Sequence, residues 1–499
     1  MHNQSLIELI GEDAEIAGIG QWLEQNGRRL VRSSIEEPVA AGSGERIVIR
    51  LFVIGPTTSA RAISQRLRHD SREGVATAGC VAPQDRTALS KALALGLDDV
   101  LVFDRNRFPL ASRQAGIASQ LSGSGEEQHD SVEDEEDDHR LHRQLRHLAL
   151  LACARMETVM RDSAARMLRP VPGGSRTTRP AAGPVTAPPL SVLLVGPPSQ
   201  AKVRINEALG PVSVSHAETV AAAQRILTHE RFDIAVLGAH DERSQRTVQA
   251  WPVTDRRSDP LVIGIVDRKQ LAGEALEAWM QRHRVMDAIT TSMTLEEVRL
   301  HLHFWQEFAR VRARLLGHSQ SMPADACSEQ APGAVSRDFF QACVEQRRKG
   351  GNTDLCPVFT LRLEDLWDIG EEHGYDTAGE LLGRMVSSVL ESLSMFDLAA
   401  YCGNGQLIVI LGSYDDSDDP LAAAARASER ALAKVRKEVG DFEQTHPHFS
   451  AEPQVLVPEI DLSIQLHALL GMCRERRMVI ERRPVTEPEQ HHVRSLEPA

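Results

Sequence analysis

Side chains able to do chemistry gather in the last third of this sequence. Glu364, Glu371 and Glu372 are oxygen donors of the kind that hold Mg²⁺, a hard cation. Between two strand-like runs lies Gly403-Asn404-Gly405-Gln406-Leu407, a hairpin sequence rich in turn residues and devoid of acid. Asp397 precedes the first of those runs, where it reads most simply as a turn residue. Farther on, CRERRMVIERRP (Cys473–Pro484) carries arginines able to serve a nucleotide phosphate, although such a stretch is more often the solvated face of a helix. The cysteines (80, 153, 327, 343, 356, 402 and 473) are scattered with no CxxC pair, and each reads as a buried reduced thiol rather than a metal ligand.

The elements that must position these residues fall into blocks. The chain has 499 residues, room for about three domains of roughly 150 residues each. It is 42% hydrophobic and 25% charged, a globular composition. Its formal charge of −14 disfavours nucleic acid or an anionic membrane as partner. No apolar run approaches the roughly 18 residues of a membrane-spanning helix. The start, MHNQSLIELIGEDAEIAG, lacks the basic region of a signal peptide, so a cytoplasmic protein is expected. Two segments interrupt the periodic pattern. Gly123–Asp138 is acidic and nearly free of apolar residues, which predicts a solvated, mobile stretch. Pro170–Pro189 is a Pro/Gly-rich linker. Between them Leu141, Leu145, Leu148, Ala152, Met156 and Val159 recur at helical spacing and predict one long amphipathic helix. A polar stretch from about Gly317 to Ala334 marks a third boundary. The blocks are therefore 1–122, 123–189 (acidic linker, long helix, Pro-rich linker), 190–316 and 335–499.

In the middle block, SVLLVG (191–196), VSVS (212–215), FDIAVLG (232–238), DPLVIGIV (259–266) and MDAITT (286–291) read as strands alternating with helices, the pattern of a covered parallel sheet. This block resembles a response-regulator receiver domain, flavodoxin-like (CheY-like) in topology. The resemblance implies an acid pair after the first strand, a phosphoacceptor Asp ending the third, and a Lys after the fifth. Those positions read Gly196-Pro197, Gly238 and Thr291, so no phosphorylation is expected. Block 1–122 resembles the same domain through Ala88–Leu121, where Gly96, Asp98 and Asp99 match and the Lys position reads Phe103. Its third strand, Ile47–Pro56, has no Asp, and Phe52 falls near the acceptor site. Glu12 and Asp13 stand as remnants of a metal pair or, more simply, as acids at a helix N-terminus.

The last block resembles the GGDEF (diguanylate cyclase) domain. Thr360–Leu382 follows "LxDIDxFKxINDxxGHxxGDxxL", and Phe396–Leu411 follows "RxxDxxxRYGGDEFxxxL", with no gap between them. Ile369, Glu371, Gly374, Leu382, Asp397 and Gly403 hold the spacing. The resemblance implies a nucleotidyl-cyclase-like fold and two Mg²⁺ ions held by a strand Asp and by hairpin acids. Here the strand Asp reads Arg362, with Glu364 at the neighbouring family Asp. The hairpin acids read Gly405 and Gln406. Guanine-reading positions read Gly370 and Gly379, and the phosphate-contacting Lys reads Trp367. In the inhibitory RxxD, Ser394 replaces Arg and Asp397 is kept, the one nucleotide-binding remnant.

Receiver, receiver and GGDEF blocks in this order resemble the PleD/PopA-type response regulators. The expectation that follows is a non-catalytic signalling scaffold with degenerate active sites, acting in cyclic di-GMP and cell-cycle signalling through protein partners. It includes a homodimer through the receiver domains, no cofactor, no metal, and a cytoplasmic location that extends to the cell pole. A different class of protein remains open at this point: a cyclic di-GMP or GTP-binding effector with an altered site. An active cyclase using Glu364, Glu371 and Glu372 is the least expected.

Overall fold

The computed structural model describes residues 6–11, 13–34, 47–54, 59–81, 91, 94–102, 130–168, 190–196, 200–210, 212–239, 248–251, 259–271, 276–321, 331, 333–349, 356–412, 419–440, 442, 445–457, 460–466 and 468–469. Glu12, Phe103, Pro197, the Pro-rich linker and the Arg-rich Cys473–Pro484 lie outside them.

The first sheet holds β1 (Leu6–Ile10), β2 (Arg29–Ser33), β3 (Ile47–Val53), β4 (Ala76–Val81) and β5 (Asp99–Val102). Its strands are parallel and ordered β2-β1-β3-β4-β5. Helices α1 (Asp13–Gln25) and α2 (Ala60–Glu73) belong to its crossovers. Next comes α3 (Asp130–Met167). The second sheet repeats the plan with β6 (Ser191–Val195), β7 (Ser213–Ala217), β8 (Ile234–Ala239), β9 (Leu261–Val266) and β10 (Asp287–Thr290). It too is parallel, ordered β7-β6-β8-β9-β10. Its helices are α4 (Gln200–Leu209), α5 (Val220–Leu227), α6 (Leu276–His283) and α7 (Leu295–Ser321). Both orders are the 2-1-3-4-5 arrangement of a flavodoxin-like domain; the inner strands are buried and mostly apolar, whereas the edge strands β2 and β7 are polar and partly exposed.

The third sheet is antiparallel. It follows α8 (Arg337–Lys349) and runs β11 (Cys356–Leu363), α9 (Leu366–His373), α10 (Tyr375–Ser392), β12 (Leu398–Tyr401), β13 (Gln406–Ile410), α11 (Pro420–Val439), β14 (Phe449–Leu456). The strand order is β12-β13-β11-β14, so β11 is central and paired on both sides. One face packs on α9, α10 and α11 through Ile369, Leu381, Met385 and Val435. The other packs on α8 through Phe339, Phe340 and Val344.

Two findings revise the reading of the boundaries. The long helix is present, with Leu141, Leu145, Leu148 and Ala152 buried and Val159 exposed. It starts at Asp130, so the second half of the acidic 123–138 stretch is helical instead of an irregular, mobile stretch. Acids are stabilised at a helix N-terminus by the unpaired N–H groups there, and the packed turns that follow supply the costly nucleus. Similarly, α7 runs to Ser321, past the expected break at Gly317, with Leu315 buried as an anchor.

Helix α3 is no free tether. Its Leu145 and Leu148 share one continuous core with Leu9 and Leu51 of the first sheet, Val192 and Ile263 of the second, and Trp305 and Phe308 of α7. Arg155 fastens it to the first block through Asp98 (2.7 and 2.5 Å), whose carboxylate also accepts from the Thr77 N–H and hydroxyl.

Candidate functional site

The GGDEF-like site is assembled where β11 meets the β12–β13 hairpin. The alternation of β11 places Arg362 and Glu364 on one face, and the antiparallel register sets Arg362 opposite Gln406 of β13 and Ser450 of β14. The two positions that the resemblance assigns to metal-binding acids are therefore brought together. They hold a cation and an uncharged amide, both buried (5% and 7% exposed). Glu364 lies 3.4 Å from the Arg362 guanidinium and accepts the Ser450 hydroxyl. Its charge is thus already faced by an arginine within the protein.

The hairpin is closed over the place where an acid would stand. Its turn carries positive φ at Gly403 (85°), Asn404 (52°) and Gly405 (71°). Bonds from Cys402 N–H to the Gln406 carbonyl (2.8 Å) and from Gln406 N–H to the Gly403 carbonyl (3.0 Å) fix it. The Gly405 carbonyl accepts from Leu363 N–H (3.0 Å), and its own N–H donates to the Tyr401 hydroxyl (3.1 Å). A Cβ on Gly405 would stand 2.7 Å from the Leu363 carbonyl oxygen. Gly405→Ala is therefore expected to lower stability by about 1–3 kcal/mol, from strain at positive φ and this collision. Chemical unfolding of the full chain reads it as a lower midpoint.

Mg²⁺ does not fit these residues. A guanidinium at contact distance repels it, and the remaining carboxylate is engaged. Among the described residues no cluster of three or more His, Cys, Asp or Glu is placed to hold a metal ion. The base-reading position is also filled: a Cβ on Gly370 would lie 2.9 Å from Cδ1 of Tyr375, whose ring covers it. Gly379 and Trp367 lie exposed on α10 and α9.

Asp397 is a structural residue in the described arrangement. It is buried and accepts from the N–H of Ser394 (2.7 Å) and of Gly412 (2.9 Å). This is a side chain closing its own turn. Beside it the Phe396 carbonyl accepts from Arg161 of α3 (3.1 Å) and Arg347 of α8 (3.0 Å). Both arginines bind Glu157 of α3, at 2.8 Å from Arg161 and 2.7 Å from Arg347, and Arg161 also donates to the Leu315 carbonyl of α7 (3.2 Å). Burial pulls the Glu157 carboxyl up, and the arginines override it, lowering it to about 2. This network joins α3, α7, α8 and the Asp397 turn, and the sequence reading missed it. Its signal was present as Glu157 and Arg161, four residues apart within an amphipathic helix.

The receiver-like sheets carry no acid at the expected phosphoacceptor positions, Gly238 and Phe52. Gly238, near the end of β8, lies beside Gly196: a Cβ on Gly196 would come within 3.6 Å of the Gly238 Cα, so backbone fills that corner. Thr291 donates its N–H to Val266. Phe52 is buried among Ile10, Ile63 and Val81. Asp13 opens α1. The acids that do lie inside serve as anchors. Asp287 accepts from Trp305 Nε1 (2.9 Å) and pairs with His301 (3.0 Å). Burial works against its charge, but His301, His147 and Arg143 hold its carboxyl far below the usual range. Asp99, its counterpart at the head of β5, is pushed up by burial to about 6. Each accepts the N–H of the next residue at 2.8 Å. Of the cysteines, Cys80, Cys343 and Cys356 are buried thiols, and burial pushes Cys80 and Cys343 to about 12.

The chain matches no known protein family description and no curated protein. Solved structures similar to parts of it include the GGDEF domain of PA1120 (TpbB or YfiN) from Pseudomonas aeruginosa: 16% identity, 32% of this chain, 88% of that one, TM-score 0.25. A two-component system response regulator/GGDEF domain protein matches at 12% identity over 61% of this chain and 99% of its own, TM-score 0.24. The C-terminus of E. coli RcsC, with its linker region and phosphoreceiver domain, matches at 11% identity over 62% and 95%, TM-score 0.19. No described helix is long and apolar enough to cross a membrane.

Proposed function

We propose that this chain is a non-catalytic signalling scaffold of the PleD/PopA type, a pseudo-diguanylate cyclase that works by binding regulatory proteins. One observation carries the reading: Arg362 and Gln406 face each other, buried, where two metal-binding carboxylates are required. Metal and electrostatic stabilisation are the largest contributions to phosphoryl transfer, and a cation at that point opposes both. The engagement of Asp397 with Ser394 and Gly412 argues in the same direction for cyclic di-GMP. The hydrophobic frame of all three sheets is kept while their polar sites are gone, the pattern of a protein retained for its surfaces. A homodimer through the receiver-like blocks and a polar location belong to the same proposal.

Incubation of the purified chain with GTP and Mg²⁺ or Mn²⁺ is expected to yield no cyclic di-GMP above a protein-free blank. Any turnover that Arg362→Ala or Gln406→Ala abolishes overturns the proposal. Calorimetric titration with cyclic di-GMP is expected to give no saturable heat, and micromolar saturation would establish the effector class instead.

A further inference from the structure

Trp367 and Tyr375 stand out among the large hydrophobic side chains, which are otherwise mostly buried. Trp367 is 46% exposed and Tyr375 65%. They form an edge-to-face pair with ring centroids 6.5 Å apart on adjoining helices, α9 and α10. The pair is seated firmly. Gly374 (φ 95°) turns the chain between the helices and donates its N–H to the Gly370 carbonyl (3.1 Å). That corner folds Tyr375 back onto Gly370. One edge of the Tyr375 ring thus rests on Gly370, while both rings stay substantially open to solvent.

Charge decides what such a surface can receive. Residues 364–380 contain seven acids and no lysine or arginine. Asp365 is engaged by His448, Glu380 by Arg384, and Glu364 by Arg362 and Ser450. Asp368, Glu371 and Asp376 are exposed, and no ion pair to them occurs among the described residues. An anionic ligand such as a nucleoside triphosphate is repelled from this face. Arginine or lysine is attracted, by carboxylates in range and by aromatic faces that favour cations.

We propose that the outer face of α9 and the start of α10, centred on Trp367 and Tyr375, is the docking surface for an arginine- or lysine-rich segment of a partner protein. This rests on the scaffold reading and gives it a surface. Basic side chains of the partner stack on the two rings and pair with Asp368, Glu371 and Asp376, while the apolar parts of those side chains cover the ring edges.

The test uses fluorescence of the full chain. Of its five tryptophans, Trp22, Trp251, Trp279 and Trp305 are 0–8% exposed, so Trp367 is the accessible reporter. Relative to free N-acetyltryptophanamide, caesium ion should keep more of its quenching efficiency than iodide does, because the surrounding field is negative; the reverse order of these normalised efficiencies overturns the proposal. A short peptide of alternating arginine and leucine should shield Trp367 from acrylamide, whereas the same peptide with glutamate for arginine should not. In Trp367→Phe the quenchable signal should vanish with the overall fold unchanged by circular dichroism. In Asp368→Lys/Glu371→Lys the basic peptide should bind about tenfold or more weakly, with its salt dependence reduced. Unchanged affinity in that variant overturns the proposal. So does shielding by GTP, which would make the face a nucleotide site, or shielding that grows with protein concentration alone, which would make it a self-association face. Failure of the peptide arms with no cyclase turnover removes this surface and leaves the scaffold reading standing; turnover of GTP removes the scaffold reading itself.

Discussion

Replacing Glu157 by glutamine is expected to destabilise the full chain by about 3–5 kcal/mol, the usual cost of removing one partner from a buried ionic network. Glutamine keeps the shape and loses the charge. Arg161 and Arg347 are 1% and 6% exposed, so both cations would be left facing an amide inside the protein. Their other contacts, to the carbonyls of Phe396 and Leu315, soften that cost without supplying charge. Urea unfolding followed by near-ultraviolet circular dichroism reads the shift. A triple replacement, Glu157→Leu with Arg161→Met and Arg347→Met, should recover much of the loss, because apolar side chains of similar volume can pack where a buried network stood. If the triple variant is less stable than Glu157→Gln, the network contributes more than its desolvation costs.

The same carboxyl gives the prediction a pH signature. Its value falls from 4.5 to about 2 on folding: burial raises it, and the two arginines more than reverse that. A depressed carboxyl contributes stability that is full above its unfolded value and drains as pH falls through the folded one. The stability gap between the native chain and Glu157→Gln should hold steady from neutral pH to about 4.5 and close progressively toward 2. A gap that widens on acidification would show that the carboxyl is protonated at neutral pH.

What the sequence made legible was periodicity and local spacing. Strands such as Ser191–Val195 and Ile47–Val53 are runs of mostly apolar residues, and the second sheet has the order that the receiver resemblance implied. The hairpin at Gly403–Leu407 was readable because its turn chemistry is local. That Arg362 faces Gln406 was not legible, because the register of β11 on β13 joins strands distant in sequence and no local turn sets it. Long-range polar pairing was not legible. Arg347 and Glu157 are 190 residues apart, and nothing in either neighbourhood announces the other. Asp397 could be matched to a motif, but only the structure shows its two oxygens taken by Ser394 and Gly412. The acidic start of α3 misled for a related reason: composition favours a solvated chain, while the helix is paid for downstream by leucines that pack on two sheets.

Glu8→Gln should produce a comparable loss, about 3–5 kcal/mol, localised to the first sheet. Glu8 sits mid-way along β1 and is fully buried. It pairs with Arg50, its register partner on β3, and with Arg66 of α2 at 3.0 Å, and it accepts the Ser33 hydroxyl at 2.7 Å. Four elements therefore converge on one carboxylate. Hydrogen exchange should show the amides of β1 and β3 losing protection first in the variant, while those of β11 and β13 keep theirs; uniform loss across all three sheets would mean the chain unfolds as one unit. The position of this acid also bears on function. Acids that bind metal and phosphoryl groups in sheets of this order stand at the carboxyl ends of the strands, open to solvent. Glu8 lies two residues short of that end, enclosed and tied to two guanidiniums, where it can order the sheet but meet no ligand. The first block thus uses a strand acid for cohesion, while Phe52 is packed among Ile10, Ile63 and Val81 near the end of β3.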